Sequence, residues 1–150
     1  MTITVETCRE CGSHGWNTRH SEEKYNKFFM WSKENLVYPL VSDALKSEMS
    51  TVEVLQNQVP IEWKNFAQFK NRITEYQGGN AGIKPYIGAF EVWHEGTLLF
   101  SKLSSRLWPT CKTVAAKVKS YLDDKKNKVP DLSKYNIKYS HPSTKQTSID

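Results

Sequence analysis

Residues 89–101 read Ala89-Phe90-Glu91-Val92-Trp93-His94-Glu95-Gly96-Thr97-Leu98-Leu99-Phe100-Ser101. Two runs of strand-forming residues, 89–93 and 97–101, flank a short connection that carries Gly96. Such a pattern is typical of an antiparallel β-hairpin. It is the clearest β signal in the chain, and we expect His94 to be a solvated side chain in its turn.

The elements on either side of the hairpin predict an α+β order. Alternating residues indicate strands at about 2–7 and 51–55, and a helix begins between them near Tyr38, with Pro39 in its first turn. After the hairpin, apolar residues at helical spacing predict a helix over 111–123. The order βαβ followed by ββα is the minimal thioredoxin-like core. We therefore predict an α+β fold with a thioredoxin-like βαβ-ββα core.

Two stretches exceed what this core needs, and both are predicted to be helical insertions. The first spans about 17–37, with helical spacing up to Ser32 and an interruption at Asn35. The second spans about 57–84, with a helix over 61–76 that ends at the glycine-rich loop 77–82. Their aromatic residues are interpreted as core, or as contacts with a protein partner or a second copy of the chain; they are Phe28, Phe29, Trp31, Trp63, Phe66 and Phe69.

Composition narrows the class of protein. A chain of 150 residues with 38% hydrophobic residues can form one domain without disulfide staples, and its three cysteines make no disulfide framework. This cysteine usage favours a reducing, cytoplasmic location. No apolar stretch approaches the ~20 residues that span a membrane. The domain is placed at 1–124, followed by a basic, partly disordered extension at 125–150.

The positive charge is concentrated in that extension. The net charge is +5, and residues 125–150 hold six lysines and two aspartates, which leaves the other 124 residues close to neutral. A lysine-bearing tail is usually a solvated extension, so the charge distribution argues against nucleic-acid binding.

A Cys-x-x-Cys pair, Cys8-Arg9-Glu10-Cys11, follows the first predicted strand. Two intervening residues let the sulfurs form an easily reduced disulfide, and a helix start can stabilise a thiolate. The same spacing forms half of a zinc site, and Cys8, Cys11, His14 and His20 could supply four ligands, although their spacing is not that of a common zinc finger. Cys111 is interpreted as a half-buried small residue at the start of the last helix.

The hairpin 88–102 resembles the Gly-x-Phe-Glu-Val … Gly-x-Leu-x-x-Ser-Lys motif of the selenoprotein W / Rdx family. The segment Cys8-Arg9-Glu10-Cys11-Gly12 is similar to that family's Cys-x-x-Cys-Gly segment, and the Trp108-Pro109 loop matches its layout. The resemblance covers about residues 2–16, 38–56 and 85–124. Within the family, the migration and invasion enhancer branch is the nearest comparison.

This resemblance implies a thioredoxin-like fold and thiol–disulfide chemistry at Cys8 and Cys11. In the selenoprotein W register, Cys11 matches the resolving cysteine and His14 stands at the selenocysteine position, so the family's main nucleophile is replaced. The order of attack stays open. Glutathione or a thioredoxin-like protein is the implied partner, and no bound cofactor is expected.

Three functions therefore stand side by side. The first is a thiol–disulfide oxidoreductase or redox-regulated protein that uses Cys8 and Cys11. The alternative is a non-catalytic interaction scaffold, and the third is a small zinc-binding module. Exposed sulfurs at bonding distance would favour redox chemistry, whereas buried or divergent sulfurs would favour the scaffold.

Overall fold

A four-stranded mixed sheet forms the centre of the protein in this computed structural model, which describes residues 1–8 and 33–138. Its strands are β1 (Thr2–Thr7), β2 (Glu53–Gln56), β6 (Phe90–His94) and β7 (Thr97–Ser101), in the order β2-β1-β6-β7. β1 pairs parallel with β2 and antiparallel with β6, and β6 pairs antiparallel with β7. The predicted α+β, thioredoxin-like class is confirmed, and so is the hairpin.

Two long helices, α1 (Lys33–Glu48) and α3 (Cys111–Lys126), cover one face of this sheet. Strand residues alternate between faces, so Ile3 and Val5 of β1 meet Val41 and Leu45 of α1 in the main hydrophobic core. The short helix α2 (Lys102–Ser105) follows β7 directly. Thr110 caps the first turn of α3 by accepting a hydrogen bond from the Thr113 amide at 3.3 Å.

The opposite face of the sheet is covered by the insertion 57–84, which is a small β-sheet. Its strands are β3 (Gln58–Pro60), β4 (Ile73–Gln77) and β5 (Asn80–Ile83), in the order β3-β5-β4, and a 3₁₀ turn spans Ile61–Asn65. A second hydrophobic cluster joins this insertion to the central sheet; it contains Val59, Trp63, Phe69, Ala81, Ile83, Trp93 and Leu98. The protein therefore has three layers: helices, central sheet and insertion sheet.

The prediction of a helix over 61–76 is wrong, because the three-residue spacing of its aromatic residues fits a series of turns as well as a helix. The backbone instead makes successive i to i+3 hydrogen bonds, from the Phe66 amide to the Trp63 carbonyl and from the Phe69 amide to the Phe66 carbonyl. This arrangement buries Trp63 and Phe69 but leaves Phe66 36% exposed. The predicted glycine-rich loop contains the two-residue turn between β4 and β5, where Gly78 has φ +60°.

The helix predicted from Tyr38 begins earlier, at Lys33, and continues through Asn35 and Pro39. Asn35 therefore does not interrupt it. The rest of the first predicted insertion, including the stretch from Tyr25 to Ser32, lies outside the described residues.

Residues 133–137 form a C-terminal strap along the outer edge of β7. The Leu98 amide donates to Oδ1 of Asn136 at 2.8 Å, and the Ile137 amide donates to the Leu98 carbonyl at 2.8 Å. Tyr135, in the 3₁₀ turn Ser133–Tyr135, is buried in the main core. The division between a domain at 1–124 and an extension stays a prediction.

Candidate active site

Cys8 lies directly after β1, the strand that lies between β2 and β6 in the central sheet. It is 3% exposed, and its amide donates to the Ala89 carbonyl at 3.0 Å, which continues the antiparallel pairing of β1 with β6. Of the predicted redox pair, Cys8 is described and Cys11 lies outside the described residues. The bonding geometry of the pair is therefore still a prediction.

The zinc alternative depends on residues outside the described ranges, since Cys11, His14 and His20 all fall in the segment 9–32. Within residues 1–8 and 33–138, no group of three or more histidine, cysteine or acidic residues is arranged to hold a metal ion. That leaves the zinc alternative untested.

Asn57 fixes the residue that precedes Cys8. The Thr7 amide donates to Oδ1 of Asn57 at 2.7 Å, and Nδ2 of Asn57 donates to the Thr7 carbonyl at 2.9 Å and to Thr7 Oγ1 at 3.3 Å. Gln56 adds a further hydrogen bond from Nε2 to Thr7 Oγ1 at 2.9 Å. The end of β1 is thus anchored by side chains at the point where β2 stops.

Glu6 and Arg72 form a buried ion pair two residues before Cys8. The Glu6 carboxylate accepts from Arg72, from the Tyr86 amide at 2.8 Å and from Nε1 of Trp93 at 3.1 Å. Arg72 also donates to the Lys84 carbonyl, and its guanidinium lies 3.7 Å above the Tyr86 ring. Because a buried charge is stable only when it is paired and hydrogen-bonded, this cluster ties β1 to the insertion.

A second buried carboxyl group, Glu91, lies directly opposite Glu6 in the pairing of β1 with β6. It accepts hydrogen bonds from Ser101 Oγ at 2.5 Å and from the Lys102 amide at 2.9 Å, so it joins β6 to the start of α2. Burial raises the pKa of Glu91 to about 8, and the negative charge of Glu6 adds to the increase, while these hydrogen bonds oppose it. Glu91 is therefore largely protonated at neutral pH.

The prediction of a solvated His94 is wrong. His94 is buried, and its Nδ1 lies 2.9 Å from the Tyr121 hydroxyl. The rings of Trp63 and Tyr121 pack against it edge-on, at centroid distances of 5.9 and 5.3 Å. Burial lowers the pKa of His94 to about 4, so this side chain is neutral at physiological pH. The turn itself contains only Glu95 and Gly96, and Glu95 adopts φ +53°.

Cys111 is the first residue of α3 and is half-buried, as predicted. It lines a groove of about 620 Å³ between α1 and α3, together with Ala44, Ala115 and Lys112. In the preceding loop, Leu107 is exposed and Nζ of Lys102 lies 3.9 Å above the Trp108 ring.

Sequence reasoning did not identify Asn57, Glu6, Arg72 or Glu91 as residues around the site. A signal was present for Glu91, which lies in an alternating strand and shares a face with Ala89 and Trp93. Glu6 carries no such signal, because its neighbours on the same face of β1 are Thr2 and Thr4. Asn57 and Arg72 carry no such signal, because their partners lie 50 and 66 residues away.

The fold and the position of Cys8 define a thioredoxin-like protein whose first strand leads into a cysteine pair. The chain belongs to the Rdx family, because the model of that family matches residues 2–120. This family is thioredoxin-like and associated with redox functions. The resemblance to selenoprotein W / Rdx proteins is confirmed, while the enhancer branch stays a prediction.

No curated protein and no solved structure matches the chain significantly. No helix among the described residues is both long enough and apolar enough to cross a membrane.

Proposed function

We propose that the protein is a thiol–disulfide oxidoreductase, or a redox-regulated protein, that uses Cys8 and Cys11. The observation that carries this proposal is the position of Cys8, held immediately after a central strand of a thioredoxin-like sheet in a chain of the Rdx family. Glutathione or a thioredoxin-like protein is the proposed partner, and a reducing cytoplasmic compartment is the proposed location.

In the proposed reaction, the thiolate of one cysteine attacks a substrate disulfide and displaces one substrate thiolate, which takes up a proton. The second cysteine then attacks the resulting mixed disulfide and releases the other substrate thiolate. The substrate gains two electrons and two protons, and Cys8 and Cys11 become a disulfide. The burial of Cys8 supports assigning it the second, intramolecular step, because an incoming disulfide must reach the first sulfur.

The burial of Cys8 also favours the second candidate function, an interaction scaffold that retains the fold without the chemistry. A partner contact through inserted aromatic helices is not supported for the second insertion, because Trp63 and Phe69 are buried against the protein's own central sheet. Phe66 and Tyr76 are exposed on the insertion and are the residues through which it could contact a partner.

The deciding experiment is the redox midpoint of the Cys8–Cys11 pair in glutathione buffers, measured by the mass shift after thiol alkylation. The experiment uses a Cys111→Ser variant, in which Cys8 and Cys11 are the only remaining thiols, so that the mass shift depends on this pair alone. The control is the same protein with Cys8→Ser added, which cannot form the disulfide. A two-electron transition between about −300 and −180 mV would support the oxidoreductase, since exchange proteins lie largely in that range.

If no disulfide forms at any ratio of reduced to oxidised glutathione, the oxidoreductase proposal is wrong. Zinc quantified in the same sample then separates the two alternatives. One equivalent of bound zinc would indicate the metal site, and its absence would indicate the scaffold.

A further inference from the structure

Asn57 lies at the corner where the chain leaves the central sheet and enters the insertion. The register of β1 with β2 runs to the pair Val5 and Gln56. Asn57 then turns the backbone with φ +55°, donates its amide to the Val5 carbonyl at 3.0 Å, and accepts from the Ile83 amide at 2.9 Å. Asparagine tolerates this left-handed conformation better than most residues do.

Beyond this corner β2 has ended, and the side chain of Asn57 forms the hydrogen bonds to β1 that a neighbouring strand would otherwise form. Its carboxamide presents one acceptor and one donor, the same pair that a neighbouring backbone would offer, and both bond to Thr7. Asn57 is only 1% exposed, so these bonds are made in a dry environment where a lost partner is costly.

The peptide bond between Thr7 and Cys8 is consequently held from both sides. Its carbonyl, that of Thr7, accepts from Asn57 at 2.9 Å, and its N–H, that of Cys8, donates to the Ala89 carbonyl at 3.0 Å. A peptide plane fixed at both polar groups leaves the Cys8 backbone little freedom.

We propose that Asn57 is a positioning residue that holds Cys8 ready for disulfide formation. This inference rests on the proposed thiol–disulfide function. A disulfide requires a narrow range of Cα separations and dihedral angles, so a cysteine that is already fixed loses less conformational entropy when the bond closes. Removing the carboxamide should therefore weaken the disulfide relative to the dithiol.

The balanced reaction is dithiol protein plus oxidised glutathione giving disulfide protein plus two reduced glutathiones. Two thiol protons and two electrons pass from the protein to glutathione. Freeing the backbone of one residue corresponds to about a tenfold loss in this equilibrium constant. We expect the midpoint of an Asn57→Gly variant to be less negative by about 30 mV, which is that tenfold change converted for a two-electron couple.

Glycine is the informative replacement because it accepts the positive φ of residue 57 and removes only the side chain. The matched control is Lys128→Gly, since Lys128 also has a positive φ of 57° and is exposed. All variants carry Cys111→Ser. Asn57→Ser removes the carboxamide and adds no buried charge, so it should shift the midpoint in the same direction and serves if Asn57→Gly does not fold.

A shift of about 30 mV in Asn57→Gly with no shift in Lys128→Gly supports the inference, and equal midpoints for the two variants overturn it. A second readout is independent of the disulfide: the alkylation rate of Cys8 in a Cys11→Ser, Cys111→Ser background. We expect it to rise at least tenfold in Asn57→Gly relative to Lys128→Gly. If the wild-type pair forms no disulfide, the proposed function fails, and this rate alone decides whether Asn57 positions Cys8.

Discussion

Replacing Glu91 with glutamine should remove the loss of stability that Glu91 causes between pH 5 and pH 8. Glu91 is fully buried, and its pKa is raised from 4.5 to about 8. In this window the folded protein keeps the proton while the unfolded chain releases it, so rising pH favours unfolding. At 1.36 kcal/mol for each pKa unit, the loss between pH 5 and pH 8 is about 3–4 kcal/mol.

Glutamine at position 91 keeps the shape of the protonated carboxyl group. Its amide can donate to Ser101 Oγ and its carbonyl can accept from the Lys102 amide, the two groups that Glu91 now contacts. Urea unfolding at pH 5, 6.5 and 8 should show that the free energy of unfolding of E91Q, minus that of the wild type, increases by about 3–4 kcal/mol across the series. Other titrating groups cancel in this difference.

The control for this series is Glu75→Gln, which changes an exposed side chain on β4. Its difference from the wild type should stay constant from pH 5 to pH 8. A constant difference for E91Q as well would refute the reasoning, because it would show that Glu91 binds its proton equally tightly in the folded and unfolded states.

The remaining predictions concern the other buried polar groups. Arg72→Met removes the guanidinium that pairs with Glu6 and should cost about 3–5 kcal/mol in urea unfolding, and adding Glu6→Gln should recover part of that loss. If the double variant loses as much stability as the two single variants together, Arg72 and Glu6 do not stabilise the protein as a pair. His94, whose pKa is lowered to about 4, is neutral in the folded protein while the unfolded chain binds a proton below about 6.5. Proton binding by His94 in the unfolded chain should thus contribute a loss of roughly 3 kcal/mol between pH 6.5 and 4, so the free energy of unfolding of His94→Gln, minus that of the wild type, should rise by about this amount as the pH falls; a constant difference would contradict the burial argument.

The elements predicted well from sequence are those fixed by local patterns. The hairpin combines strand-forming residues with a Glu95-Gly96 turn, and α3 places its apolar residues on one face, so neighbours along the chain determine both. The prediction of a helix in the insertion failed because the aromatic residues there recur every three positions. That period fits both the turn of a helix and a series of i to i+3 turns, and only packing against the central sheet distinguishes them.

The candidate site shows the same contrast between features set by local sequence and features set by distant parts of the chain. Cys8 was predicted correctly as the residue after β1 because its strand alternates and its cysteine spacing is recognisable. The burial of His94 could not be predicted, since it depends on Trp63 from the insertion and Tyr121 from α3. Asn57 and Arg72 were missed for the same reason: each acts on β1 from a distant part of the chain, and a single sequence does not show that contact.

The C-terminal strap has a consequence for how the chain folds during its synthesis. β7 is made well before residues 136 and 137, whose bonds to Leu98 cover its outer edge. An uncovered strand edge readily pairs with other chains. This edge of β7 therefore stays uncovered by the strap until residue 137 has left the ribosome, and a chain truncated within 125–135 should be more prone to aggregation.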